Sequence, residues 1–135
     1  MRTPIKDLRF KSKALPILMS IIPPESSIET FLFFSGDIEV NLAEANRQVT
    51  AHTTELPVYD FWLTLIDDPD LLVEHIKYLH PLPNNEVANV FQKTLNSQKN
   101  PFMRAALFFV LNRCSELGTI SSGEYDRAKF NPLAL

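Results

Sequence analysis

Apolar residues recur at helical spacing over most of this chain; residues 27–53 and the tail from Gly118 onward depart from it. KSKALPILMSII (11–22) predicts a first helix. Pro16 is tolerated there only near the start, because an interior proline removes an amide donor and clashes with the preceding turn. Pro23-Pro24 ends it. SIETFLFF (27–34) is rich in β-branched and aromatic residues and predicts a buried strand. DIEVNL and RQVTAHT (47–53) both alternate apolar with polar, so with AEAN between them they fit a hairpin. A helix over 36–45 leading into a second strand parallel to the first fits equally well, since the crossover is near the shortest that a parallel pair takes. The pattern leaves both open.

After residue 56 the spacing becomes helical, as far as Cys114. PVYDFWLTLI carries Pro57 in a first-turn position and places Tyr59, Trp62 and Leu63 near one face. Asp67, Asp68, Pro69 and Asp70 mark a break and a new helix start, which LLVEHIKYLH (71–80) continues until PLP closes it. NEVANVFQKTL (85–95) is amphipathic through Val87, Val90, Phe91 and Leu95. PFMRAALFFVLNRC (101–114) is the most apolar segment and predicts a central buried helix. From Gly118 to Leu135 the chain reads as loop, with Gly123 and Pro132 as breakers. The expected organisation is one domain: strands and a helix over 1–56, a helical region over 57–115, and an irregular tail over 116–135.

Composition keeps this globular. The chain has 135 residues, 45% of them hydrophobic and 21% charged, which allows a packed core and gives no sign of disorder. Cys114 is the only cysteine, so no internal disulfide forms and a reducing, cytoplasmic setting is expected. MRTPIKDLRFKSK lacks a signal peptide's apolar stretch, and no run approaches the ~20 apolar residues of a membrane span. The net charge of −3 is unevenly spread. Residues 1–13 set Arg2, Lys6, Arg9, Lys11 and Lys13 against Asp7, whereas 25–70 hold ten acids against Arg47 alone. A basic arm could touch phosphate, but the acidic middle argues against a broad nucleic-acid face.

Candidate chemistry is sparse. His75 and His80 are five apart and do not share a helical face, and Cys114 has no cysteine neighbour, so no metal site is expected. Asp67, Asp68 and Asp70 lack the loop and glycine of a calcium-binding hand, and helix capping explains them more simply. Cys114 lies beside Arg113, which could lower its pKa, yet a lone cysteine in an apolar helix is usually a small hydrophobe. Phosphate and dinucleotide loops need several glycines. Here only Gly36 follows a strand; Gly118 and Gly123 lie in the tail.

Four segments together resemble one family. TPIKDLRFKSKALPILMSIIPP is similar to the opening motif of Dam-type DNA adenine methyltransferases. SIETFLFFSGDIEVNLAE resembles their cofactor-binding strand and loop, PVYDFWLTLIDDPDLLVEHI the helices after their second strand, and RAALFFVLNRCSELGTISSGEY the segment leading into their target-recognition region. The resemblance implies an S-adenosylmethionine-binding α/β fold and methyl transfer to the adenine amine. Carried over residue by residue, it also implies a vestigial cofactor site. Lys11 remains from the opening motif, but Arg9 and Phe10 replace two glycines. Glu29 and Phe31 persist, Thr30 stands for a proline, and Phe33, Phe34 and Ser35 fall where glycines are expected, ahead of Gly36. His52 takes the place of the acid that holds the ribose hydroxyls. The Asp-Pro-Pro-Tyr motif that grips a flipped adenine is missing. Its nearest echoes are Asn100-Pro101-Phe102, which reads as a helix cap, and Asn131-Pro132-Leu133, which lacks the aromatic.

The resulting expectation is an α/β protein, a truncated Rossmann-like methyltransferase core with few strands and a largely helical C-terminal half. No catalytic or metal-binding residue is assigned. The vestigial cofactor positions are Lys11, Glu29, Ser35 and Gly36, with S-adenosylmethionine as cofactor only if that degenerate pocket still works. The expected role is that of a catalytically inactive, phage-encoded, methyltransferase-like protein acting in the host cytoplasm through a protein partner or a homo-oligomer. Two alternatives stand beside it. One is the N-terminal half of a split methyltransferase. The other is a small DNA-binding module using the basic arm with Arg104, Arg113, Arg127 and Lys129.

Overall fold

In a computed structural model of the chain, the described residues are 3–7, 13–31, 33–115 and 125–130, the side chain of Arg127 excepted. They form a mixed α/β structure, mostly helical, with six α-helices and two parallel strands. The chain divides into two compact units, Met1–Thr54 and Glu55–Leu135.

The first unit opens with α1 (Ala14–Ile21). Pro16 is its third residue, where the missing amide would have had no helical partner anyway. Arg47 closes the other end: Nη1 donates to the carbonyls of Ile22 (3.1 Å) and Pro23 (3.0 Å), and Nη2 to that of Met19 (3.2 Å). A cation on these carbonyls satisfies acceptors that the helix leaves open. No residue of α1 is buried.

Next come β1 (Ser27–Thr30), α2 (Asp37–Glu44) and β2 (Gln48–Ala51). The strands are parallel, with Ser27 opposite Gln48 and Thr30 opposite Ala51, so the segment is a βαβ unit and not a hairpin. Of the two arrangements the pattern left open, the helix over 36–45 is the one formed, because end signals outweigh the alternation in DIEVNL. Gly36 enters the helix at φ 73°, which a residue with a Cβ adopts only at a cost, and Asp37 and Glu39 complement the helix dipole in the first turn. Asn46, at φ 63°, ends it. Its amide bonds back to Ala43 (3.0 Å) and that of Arg47 to Leu42 (3.1 Å), the paired closure of a left-handed helix cap. β1 is also shorter than the predicted 27–34. Past Thr30 the pairing loses its regular step: His52 donates to Thr30 O (2.7 Å) and accepts from Phe33 N (3.1 Å). Nor is the strand buried as expected, since every β1 and β2 residue is exposed or half-buried.

The second unit contains α3 (Leu56–Asp67), α4 (Pro69–Leu79), α5 (Asn85–Thr94) and α6 (Pro101–Cys114). Three helices start on side-chain caps. Asp68 accepts from Leu71 N (3.1 Å), Asn84 from Val87 N (2.9 Å), and Asn100 from Phe102 N (2.9 Å) and Met103 N (3.3 Å). Prolines fill the first turns of α3, α4 and α6. α6 is the centre, with ten buried residues in its fourteen, and α3 and α4 both pack on it. Phe61 of α3 stacks on Phe109 (5.7 Å between centroids) and meets Phe108 edge-on (5.6 Å). The Tyr59–Leu63 face of α3 points to solvent, and Val58, Phe61 and Thr64 carry the packing. In α5 the buried residues are Ala88 and Gln92, while Val90 is exposed.

Beyond α6, Ser115 pairs with Tyr125 in an antiparallel bridge and Asp126 N donates to Cys114 O (2.8 Å). The Tyr125 hydroxyl accepts from Leu82 N (3.0 Å). The loop expected over the tail falls largely on 116–124 and 131–135, outside the described residues.

Candidate functional site

In open α/β sheets ligands bind beyond the carboxyl ends of the strands. In the first unit that end carries Glu29, Phe31 and His52. Glu29 Oε1 lies 3.7 Å from His52 Nε2, with side chains 60% and 45% exposed. The Phe31 ring stacks on the imidazole, 5.0 Å between centroids and 10° from parallel. So wet an ion pair is worth about 0–1 kcal/mol even when His52 is protonated. What the cluster offers is a flat, exposed aromatic surface with a carboxylate beside it.

Of the vestigial cofactor positions, Lys11 lies outside the described residues, together with Arg9 and Phe10. Glu29 joins His52. Ser35 and Gly36 are buried and build the entrance to α2. The Ser35 carbonyl accepts from the Thr3 hydroxyl, its Oγ accepts from Asp37 N (3.4 Å), and Asp37 Oδ1 accepts from Thr3 N (3.0 Å). The hydroxyl and carbonyl of Ser35 are therefore engaged within the protein. Phe33 and Phe34, standing where glycines were expected, are half-buried, and the Phe33 amide is taken by His52 O. The backbone donor that a glycine loop would turn toward a cofactor is thus already used.

The echo of the methyl-transfer motif resolves into a cap. Asn100 and Pro101 start α6, and the Asn100 side-chain Oδ1 accepts from two amides of the helix's first turn. Asn131-Pro132-Leu133 lies outside the described residues.

Arg104 is no surface cation for DNA. Its Nε donates to Asp60 Oδ2 and its Nη1 to Gln98 O, with the two side chains 10% and 7% exposed. Arg113 is half-buried, and Lys129 is exposed.

One pairing was not legible in the sequence. Cys114 Sγ lies 3.8 Å from His80 Nδ1, and His80 packs edge-on against Phe130 at 5.3 Å. The two residues are far apart in sequence, His80 just past the end of α4 and Cys114 at the end of α6, so periodicity gives no hint of the contact. Cys114 is fully buried, which withholds its sulfur from substrates. His75 instead bonds the Leu71 carbonyl of its own helix through Nδ1 (2.9 Å). Among the described residues no three His, Cys, Asp or Glu side chains gather to hold a metal, and no helix is long and apolar enough to cross a membrane.

Fold and site together define a mostly helical α/β protein with one parallel βαβ unit and an exposed aromatic–carboxylate cluster at its strand ends. Neither a known protein-family model nor a curated protein matches the sequence.

Proposed function

We propose that this chain is a methyltransferase-like scaffold that transfers no methyl group and acts by binding a protein partner. The observation that carries the reading is the exposure of the parallel strand pair. Parallel strands are ordinarily buried on both faces, and open edges invite further pairing. Here no strand residue is buried, and β1 pairs only with β2 among the described residues. A partner that lays a strand or an apolar face there would supply what the pair lacks. The βαβ order, the glycine entrance to α2 and a residue at the end of β2 facing the loop after β1 all accord with a methyltransferase-like ancestry. Loss of activity is supported by the committed Phe33 amide, the half-buried Phe33 and Phe34, His52 in place of an acid, and Asn100 acting as a cap. The burial of Arg104 takes one cation away from a DNA-binding reading.

Two measurements test this. Calorimetric titration with S-adenosylmethionine should give no binding in the micromolar range; saturable micromolar binding would sink the loss of activity. Amide hydrogen exchange on the purified chain should be fast over residues 27–30 and 48–51 and slow in α6. Protection of the strands equal to that of α6 in the isolated chain would show that they need no partner.

A further inference from the structure

Two apolar helix faces are uncovered, one in each unit. On α3, Leu56, Tyr59, Leu63 and Ile66 are 45%, 54%, 43% and 75% exposed. Their spacing of three, four and three residues puts them on one stripe, the seam pattern by which helices pair. Acids stand at both ends of it: Glu55 before, and Asp67, Asp68 and Asp70 after, all exposed. On α1, Ile17 and Ile21 are 62% and 68% exposed and lie one turn apart. Cations stand at both ends of that helix, Lys13 at its start and Arg47 on its final carbonyls, with Glu25 the acid nearest in sequence.

Charge decides what can cover the α3 stripe. A second α3, in either direction, would set acids against acids. An anionic lipid surface or a nucleic acid would be repelled by the same carboxylates. The stripe needs an apolar helix with basic ends, and α1 is such a helix. The lengths also agree, since eight residues of α1 make about 12 Å and twelve of α3 about 18 Å, leaving the acids of α3 just beyond the ends of α1.

We infer that α1 of one copy of this chain docks on the α3 stripe of a second copy, giving head-to-tail self-association. Such a contact is heterologous, so each copy keeps one unused helix at either end and assemblies grow past the dimer unless a ring closes. The inference goes beyond the partner-binding reading and does not depend on the strand edges.

The test uses Ile17→Glu and Ile66→Glu, both at exposed positions, with unchanged far-ultraviolet circular dichroism as the control for folding. In light scattering, the average mass of the wild-type chain should rise with concentration beyond that of a dimer. Each variant alone should stay monomeric, with association weakened by about tenfold or more, as expected for a charge placed at an interface centre. An equimolar mixture of the two variants should form a dimer and stop there, because one intact α1 and one intact α3 remain. A monomeric wild type, self-association that survives either substitution, or a mixture that stays monomeric would each overturn the inference. A monomeric wild type would leave the proposal of an external partner standing, whereas S-adenosylmethionine binding would sink that proposal's loss of activity and leave this one.

Discussion

Replacing Arg104 by methionine removes the cation bonded to the buried Asp60 carboxylate and leaves the Gln98 carbonyl without its guanidinium donor. Both side chains of the pair are about nine-tenths buried, so water cannot take over either role. Breaking such a pair from one side typically costs about 3–5 kcal/mol, because a charge stays behind with nothing to balance it. For a cooperative unit of ~60–100 residues each kcal/mol is worth roughly 4–8 °C, so the melting transition should fall by roughly 12 °C or more. Asp60→Leu should do comparable damage. The double variant, Asp60→Leu with Arg104→Met, should recover most of the loss, since well-packed apolar replacements of buried pairs run from neutral to about 1–4 kcal/mol stabilising. The readout is convenient: Trp62, the only tryptophan, follows Asp60 by two residues and packs edge-on against Phe61 at 5.6 Å, so its emission reports on this unit. Single variants that each cost less than about 1 kcal/mol, or a double variant whose loss equals the sum of the singles, would refute the reasoning.

Three further outcomes follow from other parts of the structure. Asn100→Ala should cost about 0.5–2 kcal/mol in urea denaturation, because two first-turn amides of α6 lose their acceptor. Gly36→Val forces a β-branched residue to φ 73° and should destabilise the βαβ unit by about 1–3 kcal/mol, seen as faster amide exchange in α2 with α6 unaffected. Cys114 should react with a thiol reagent far more slowly in the native chain than in denaturant, since its side chain is fully buried; equal rates would contradict that burial.

The second unit was largely legible in the sequence because its signals are local. Asp68 and Asn100 cap helices where the pattern places helix starts, and Pro57, Pro69 and Pro101 fall in first turns, where a proline costs least. Legibility failed where tertiary packing decides. In α3 the residues that share a face, Tyr59 and Leu63, point outward, because the neighbouring Phe61 is what meets Phe108 and Phe109. The amphipathic pattern of α5 includes Val90, but the helix is turned so that Val90 is exposed and the smaller Ala88 packs inside. In the first unit, the alternation of DIEVNL satisfied strand and helix alike, and Gly36 and Asn46, both at positive φ, settled the matter at its two ends. The candidate site was less legible still. Glu29 and His52 could be named from the sequence, but their contact and the stack with Phe31 depend on a parallel pairing that the sequence left open. Arg104, counted there among DNA-facing cations, meets Asp60 across a helix pair that no local pattern encodes.

The near-complete burial of α6 bears on how this chain can diverge. A helix that touches solvent along one side can exchange residues there freely over generations. α6 has almost no such side, with Arg104 to Leu111 and then Asn112 and Cys114 all enclosed. A polar replacement must find a partner, and a larger side chain must displace a neighbour, at a cost of about 1–3 kcal/mol. Substitution in this helix should therefore be slow, and it should run through compensating pairs with α3 and α4. Descendants and cousins of this chain would keep α6 recognisable long after the strand ends and exposed stripes had been rewritten, and likeness confined to α6 would speak for shared architecture before shared activity.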